Sequence, residues 1–470
     1  MHTLRSAFES IVKEPLVWEE PITDSGSERS YTRLRSDTHS MIAVVGTVRE
    51  ENTAFIELTR HFRKQQLPVP ELLFVSDDKM QYLLQDLGDV SLFEYMRRGR
   101  ESGDFSAAER EMLVKTIARL AEFQFRGAEG LDFSVCYPQA AFDKRTVMWD
   151  LNYFKYCFLK PSGVLFSENS LENDFETMAD LLPQHAMNAF LYRDFQSRNV
   201  MIFRDEPHFI DYQGGRRGPV LYDVASFLWQ AKADFPDTLR EELLDVYLSE
   251  LQKYTPASKS DFKTQLQHFV LFRILQVLGA YGFRGYFEKK VHFLQSIPFA
   301  LRNLQRLPDE NFERYPYMRQ IVRTMCADIP LPDTLEKNQP SGLQVTVYSF
   351  SYRKGVPEDE SGNGGGYVFD CRAIHNPGRY DAYKQLTGLD RPVIDFLEKN
   401  GEIVRFLEHV YVLADQHIKK YTERGMTRLM FAFGCTGGQH RSVYSAQHLA
   451  DHIMRKHGVT VKLIHRELQQ

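Results

Sequence analysis

Cysteine is scarce and scattered. The five thiols in 470 residues, Cys136, Cys157, Cys326, Cys371 and Cys435, show no paired spacing, so they read as reduced cytosolic thiols rather than a disulfide frame. Long apolar runs are missing as well. No stretch is apolar for long enough to span a bilayer, and the first ten residues hold no signal-peptide core. An excess of positive charge is also missing. Lys and Arg number 58 against 63 Asp and Glu, for a formal net charge of −5. That excludes a global attraction to nucleic acid but not local patches. The cytoplasm is the expected compartment. What the chain does have is apolar mass, 43% hydrophobic and 13% aromatic, enough for a sizeable core. Its length suits two or three domains.

The densest chemistry lies in Leu-Tyr-Arg-Asp-Phe-Gln-Ser-Arg-Asn-Val-Met-Ile at 191–202, followed by Phe-Ile-Asp-Tyr-Gln at 209–213. Asp194 and Asn199 are set apart by a fixed short loop that leads into an apolar strand. A second acidic strand end, Asp211, follows. Phosphoryl transfer from ATP needs this set. One carboxylate orients or deprotonates an acceptor hydroxyl, while an amide oxygen and another carboxylate hold Mg²⁺ against the phosphates. The Asp-x-x-x-x-Asn spacing matches a kinase catalytic loop, with the later Asp in the metal-binding place. Asp194 is the expected catalytic residue, and Asn199 and Asp211 are the expected metal ligands.

These segments, with Gly-Pro-Val-Leu-Tyr-Asp-Val-Ala-Ser at 218–226, resemble the aminoglycoside/choline-type phosphotransferase family. Within it they resemble the anomeric kinases of N-acetylmuramate and N-acetylglucosamine used in cell-wall recycling. The resemblance implies a two-lobed, protein-kinase-like domain over 1–328, with an N-lobe at 1–86 and a C-lobe at 92–328, and ATP and Mg²⁺ as cofactors. It also implies that Asp223, at the start of a helix, braces the catalytic loop, with Arg193 in a supporting place.

In chain order, a short helix is expected over 2–12. Small residues at 24–30, Gly26 and Ser27 among them, let backbone amides approach phosphate; an ordinary Ser/Gly hairpin is the other reading. Residues 41–45 form a buried strand by β-branched content. No lysine stands there, where a protein kinase carries its phosphate-binding one. Arg29, Arg33 and Arg49 are unranked candidates to replace it. A helix is expected over 51–65, with Phe55, Leu58 and Phe62 on one face, and prolines 68 and 70 end it. The strand 82–85 runs into an expected hinge at 86–89, where adenine would meet backbone groups around Gln85 and Leu87.

The rest of the lobe reads as mostly helical. Ser106 and Glu109 form a capping box for a helix carrying Leu113, Ile117, Leu120 and Gln124, stopped by Gly127. At 149–156 most residues suit packing, but sugar C–H faces stack on aromatic rings. Trp149, with Asp150 and Asn152 to bond hydroxyls, is the candidate sugar wall. Residues 270–282 form a buried helix ending in Gly282.

Residues 329–342 hold three prolines and read as a linker. The pattern then becomes α/β: strands at 343–350 and 367–372 around an exposed loop at 353–366, helices at 392–399 and 404–423, a strand at 428–433 and a helix at 443–456. The last strand feeds Gly-Cys-Thr-Gly-Gly-Gln-His-Arg-Ser at 434–442. A strand, a small-residue loop and a helix N-terminus make an anion site, and Arg441 adds a planar bidentate donor. The expected phosphate site is Cys435, Thr436, Gly437, Gly438, Gln439, His440, Arg441 and Ser442. Cys435 and Arg441 also satisfy the Cys-x-x-x-x-x-Arg-Ser loop of cysteine-dependent phosphatases, in which a thiolate attacks. A small buried cysteine at a strand end is the other reading.

This loop, with Phe-Asp-Cys-Arg at 369–372, Asn-Pro at 376–377 and Leu-Thr-Gly-Leu-Asp at 386–390, resembles the C-terminal domain of the RapZ family of RNase adapters, placed here at 343–470. The resemblance implies a smaller α/β domain that senses an amino-sugar phosphate and binds RNA, with a second pocket at Asp370, Arg372, Asn376 and Thr387. The family's nucleotide-binding P-loop domain is replaced by the kinase-like one, and residues 464–470 hold no basic tail. RNA affinity rests on neutralising phosphates, so sugar phosphate is the expected ligand and RNA is left open.

The chain thus reads as α+β followed by α/β. The expected function is an ATP-dependent sugar kinase acting on an amino sugar at its anomeric hydroxyl, fused to a sugar-phosphate-sensing domain. An aminoglycoside or small-alcohol kinase, a regulatory adapter with an inactive kinase domain, and a kinase–phosphatase fusion fit parts of the same motifs. The expected partners are an amino-sugar substrate and a sugar phosphate, with no membrane; self-association is left open.

Overall fold

The structure is a computed structural model that describes residues 2–22, 29–328, 343–359, 366–424, 426–457 and 459–468. The expected linker at 329–342 and the loop with Gly26 and Ser27 lie outside the described residues. The chain divides into two compact units, Met1–Pro332 and Asp333–Gln470. Among the described residues no helix is long and apolar enough to cross a membrane.

In the first unit β1 (Trp18–Ile22), β2 (Ser30–Arg35), β3 (Ser40–Val45), β4 (Leu72–Val75) and β5 (Gln81–Gln85) form an antiparallel sheet in the order β1-β2-β3-β5-β4. Successive side chains on a strand point to opposite faces, and both faces here are covered. Met41, Ala43 and Leu83 pack on Leu4 and Phe8 of the helix His2–Val12. Val44, Tyr82 and Leu84 join Phe55, Leu58 and Phe62 of the helix Arg49–Lys64. Those three helix residues recur at helical spacing, and each is at most 4% exposed.

The rest of the unit is mainly helical, as expected. Ser106 and Glu109 make both bonds of the capping box ahead of the helix Ala107–Arg126. The long helix Lys259–Gly282 packs against Lys144–Phe154 and Val220–Leu228. A side chain at Gly279 would bring its Cβ to 2.8 Å from the Phe154 backbone nitrogen, so glycine sets how closely the helices approach. The turns do not stop at Gly282 but continue as a π-helical segment, Phe283–Phe287. Two small ribbons, β6 (Phe190–Leu191) with β9 (Arg216–Arg217) and β7 (Val200–Phe203) with β8 (Glu206–Phe209), frame the central motif.

The second unit is a parallel sheet of β10 (Gln344–Ser351), β11 (Tyr367–Asp370), β12 (Arg428–Cys435) and β13 (Thr460–His465), in the order β11-β12-β10-β13. The last strand was not foreseen; it forms because β10 offers a free parallel edge to residues 460–465. The order reverses between β12 and β10. In open parallel sheets the carboxyl ends of strands at such a reversal bear the ligand crevice. The loop at 435–440 leaves β12 at that place, with the helix Arg441–His457 behind it. That helix starts two residues earlier than expected and takes Arg441 and Ser442 into its first turn.

Candidate active site

A cleft of about 830 Å³ opens in the first unit. Gln85 and Leu87 line it from β5 and the hinge, Asp194 and Asn199 from the loop before β7, and Asp211 from the segment after β8. The structure thus brings together the described nucleotide, catalytic and metal candidates. It leaves Trp149, Asp150 and Asn152 out of the cleft lining. Asp150 is 6% exposed; its Oδ1 accepts from Arg193 Nη2 at 2.9 Å, and its buried Oδ2 has no hydrogen-bond partner. It and Arg193 are 43 residues apart, which hid the pairing from a sequence reading.

The catalytic loop is pinned from beneath. Asp223, fully buried in the first turn of Val220–Leu228, accepts backbone N–H bonds from Tyr192 at 2.8 Å and Arg193 at 2.9 Å, and a third from Gln124 Nε2 at 3.0 Å. Burial pushes its carboxyl up to about 7, against the lowering effect of those bonds. Arg193 has φ of +76° and Asp211 +69°, left-handed values that cost a non-glycine residue about 1 kcal/mol or more. Asp223 holds the first of these. Tyr212, next to the second, hydrogen-bonds Thr59 Oγ1 at 2.7 Å and stacks on Phe55 at 5.3 Å. Phe62 meets Phe123 at 4.6 Å and Tyr212 at 5.2 Å, so one buried aromatic group seats both loops on the helix Arg49–Lys64.

On this support the Asp194 carboxylate stands 39% exposed, with Arg273 Nη2 3.6 Å from its Oδ1. Asn199 Nδ2 donates to Asp194 O at 2.9 Å and to Asp211 Oδ2 at 3.1 Å. Gln213 Nε2 donates to Asp211 Oδ1 at 2.7 Å. An amide beside a carboxylate is an oxygen donor set of the kind a hard divalent cation takes.

The structure ranks the three arginines. Arg33 donates to Asp86 at 2.7 and 3.1 Å and lies 2.7 Å from Asp89, so it ties β2 to the hinge. Arg49 is exposed and does not line the cleft. Arg29 does line it, with a side chain only 3% exposed, and its Nη2 is 2.8 Å from Glu51 Oε1 on the helix Arg49–Lys64. Glu51 went unnoticed in the sequence. Glu57, on the same helix, is an outer residue bound to Lys79 at 3.0 Å.

In the second unit the loop after β12 folds its side chains inward. Gln439 Nε2 donates to Leu386 O at 2.7 Å and Lys384 O at 3.0 Å, and His440 Nε2 to Tyr383 O at 2.9 Å. Arg441 is 3% exposed, and its Nη1 donates to Ile374 O at 2.7 Å and Arg372 O at 3.0 Å. Its buried Nε has no hydrogen-bond partner. Cys435 is 3% exposed; its Sγ accepts from Gly438 N at 3.2 Å and lies 3.1 Å from Ser442 Oγ. Gly438 has φ of +71°, and a Cβ there would come within 2.9 Å of Ser351 N, so the turn requires glycine. Thr436 O accepts from Ser351 Oγ at 2.7 Å, and Gly437 faces open space.

The four residues of the expected second pocket close local turns. Arg372 forks onto Asp370 at 2.6 to 3.0 Å and lies over the Tyr352 ring. Asn376 Oδ1 accepts from Gly378 N at 3.2 Å, and Thr387 Oγ1 donates to Asp390 at 2.8 Å.

Residues 41–257 match the phosphotransferase enzyme family, and residues 343–469 match the RapZ C-terminal domain. The chain therefore joins a phosphotransferase domain to a RapZ C-terminal domain. A nucleotide-binding protein of Petrotoga mobilis is 37% identical over 134 residues, covering 28% of this chain and 45% of its own length. One from Glaesserella parasuis is 35% identical over 189 residues, covering 39% and 64%. The chain spans about half the length of the curated relatives it matches. Similar solved structures include choline kinase from Cryptosporidium parvum, with 10% identity, TM-score 0.43 and coverage of 65% of this chain and 94% of that one. A choline/ethanolamine kinase family protein of Mesorhizobium loti has 13% identity, TM-score 0.43 and coverage of 69% and 100%.

Proposed function

We propose that the first unit is a kinase that moves the γ-phosphoryl group of ATP to a hydroxyl of an amino sugar, of the N-acetylmuramate or N-acetylglucosamine type, at the anomeric oxygen. The observation that carries this reading is the open carboxylate of Asp194 beside the Asn199–Asp211 pair in one cleft. Asp194 orients the acceptor hydroxyl and accepts its proton. Arg273 steadies that carboxylate. Arg193 and Asp150 act beneath the loop, so Asp150 is assigned to support rather than to sugar binding. Asn199 and Asp211 would hold Mg²⁺, which when bound neutralises phosphate charge. Arg29, oriented by Glu51, supplies the cation that the strand lacks as lysine. Adenine meets the backbone around Gln85 and Leu87, which Arg33 fixes through Asp86.

The second unit binds a hexosamine phosphate through the loop amides at 436 and 437 and the remaining donor of Arg441. It does not hydrolyse the ester: the Cys435 sulfur is buried and already bonded. ADP release across a panel of sugars, choline and aminoglycosides tests the kinase reading, and phosphorus NMR of the product tests the position. Coupling to the anomeric proton is expected. A 6-phosphate, or turnover of aminoglycosides alone, would overturn the assignment.

A further inference from the structure

The cleft contains cations of two kinds. Arg29 and Arg33 each face an acid, Glu51 for one and Asp86 with Asp89 for the other. Lys232 has no such partner. It lines the same cleft just beyond the helix Val220–Leu228 and is half-buried, and among the described residues no carboxylate pairs with it. Arg198, in the loop between Asp194 and Asn199, lines the cleft too. Its guanidinium lies 4.7 Å from the centre of the Phe93 ring, and that of Arg100 lies 3.5 Å from the same ring. Arg100 is held there by an Nε bond to Phe93 O at 3.0 Å. One aromatic ring thus gathers two arginines beside a lysine.

Glu94 and Glu101 lie near enough to act on the Arg100 charge, but neither is ion-paired with it among the described residues. Glu94 accepts from Arg97 at 3.1 Å, and Asp234 lies 2.6 Å from Arg302 and 3.6 Å from Arg306. Burial first, and then the charges of Arg198 and Arg100, together lower the Lys232 ammonium to about 8. Like charges gathered at a half-buried site cost free energy unless a ligand of opposite sign offsets them.

We propose that Lys232 and Arg198, with the charge of Arg100 behind them, seat an anionic group of the acceptor, so that the phosphorylated compound carries a carboxylate or phosphate besides its reacting hydroxyl. This rests on the kinase reading above and sharpens it. The cationic acceptors of aminoglycoside or choline type are repelled by the same three charges, and a neutral hexosamine leaves them unmatched.

The test uses the full chain with MgATP and three probes: N-acetylmuramate for the carboxylate, N-acetylglucosamine 6-phosphate for the phosphate, and N-acetylglucosamine as the neutral control. One of the two anions is expected to exceed the neutral sugar in kcat/KM by about ten-fold or more, the size of a charge-assisted bond. Lys232→Met and Arg198→Gln are each expected to cut that preference about ten-fold through the KM of the anion. MgATP binding with equal use of the neutral and anionic probes, or with no use of either anion, would overturn this inference alone. So would variants that raise the KM of ATP in place of that of the acceptor, which would make the cluster a nucleotide site. Absence of MgATP binding would overturn the kinase reading and this inference together.

Discussion

Two loops in this chain follow a strand, carry a short polar motif and were singled out for the same kind of ligand, yet they use their side chains in opposite ways. In the loop at 192–199 the backbone is held from below by Asp223, so Asp194 is left open to the cleft at 39% exposure. In the loop at 435–441 no carboxylate among the described residues plays that part. Gln439, His440 and Arg441 themselves reach back to main-chain carbonyls. The first loop has its support supplied by another element and keeps its chemistry free. The second supplies its own support and offers a ligand mainly backbone amides and one arginine Nε. A motif therefore identifies a loop, but what holds that loop decides which of its groups can act.

The largest effect that tests this contrast is expected at Asp194. Asp194→Asn should lower turnover by about 10²-fold or more, while nucleotide affinity measured by calorimetry stays within a few-fold. An unaltered rate would remove the open loop from the chemistry.

Next is Arg441. Arg441→Ala leaves the buried Ile374 carbonyl and the part-buried Arg372 carbonyl without their donor and should cost the second unit about 3 kcal/mol in chemical denaturation, besides its loss of sugar phosphate. Intact stability with lost binding would mean that Arg441 acts outward, as Asp194 does, and the contrast would fail.

Cys435→Ser should be smaller, at about 1 kcal/mol or less, because a hydroxyl can accept the Gly438 N–H in place of the sulfur. It should leave phosphate release from a hexosamine phosphate at background. Wild-type release that this substitution abolishes would make the second loop a phosphatase site.

The smallest effect is a pH dependence. Asp415 lies 2.6 Å from Lys456 and His457 and 2.9 Å from His452, so it fastens the helix Glu402–Glu423 to the far end of the helix that follows the loop. Burial works to raise its carboxyl, but those three partners outweigh it and bring it from 3.8 down to about 2. A depressed carboxyl stabilises the fold above its unfolded value and loses that contribution as pH falls toward its folded one. The unfolding midpoint should therefore drop between about pH 4 and pH 2 in the wild type and less steeply in Asp415→Asn.

Several features were legible because their cause is local. The capping box at Ser106 and Glu109 lies within one helix turn, the apolar spacing of Phe55, Leu58 and Phe62 within two, and Asp194, Asn199 and Asp211 on two loops joined by one short β-ribbon. The features that were missed depend on partners far along the chain. Arg29 finds Glu51 on the helix Arg49–Lys64, Asp150 is drawn to Arg193, and β13 exists only beside β10. Trp149 was nominated for its ring alone, and no spacing could tell that its helix keeps it out of the cleft.

By itself the sequence determined that a phosphotransferase-type loop and a glycine-rich anion loop occur in one chain, in two units of different architecture. Spacing, periodicity and turn chemistry are written in neighbouring residues. Only the tertiary structure decided which charges are offset and which are left to a ligand. Arg33 is spent on the hinge, Arg441 on its own loop and Asp150 on Arg193, while Lys232 is left without a carboxylate among the described residues. Pairing falls off over a few ångströms, and distances of that size between remote residues are set by packing rather than by order along the chain.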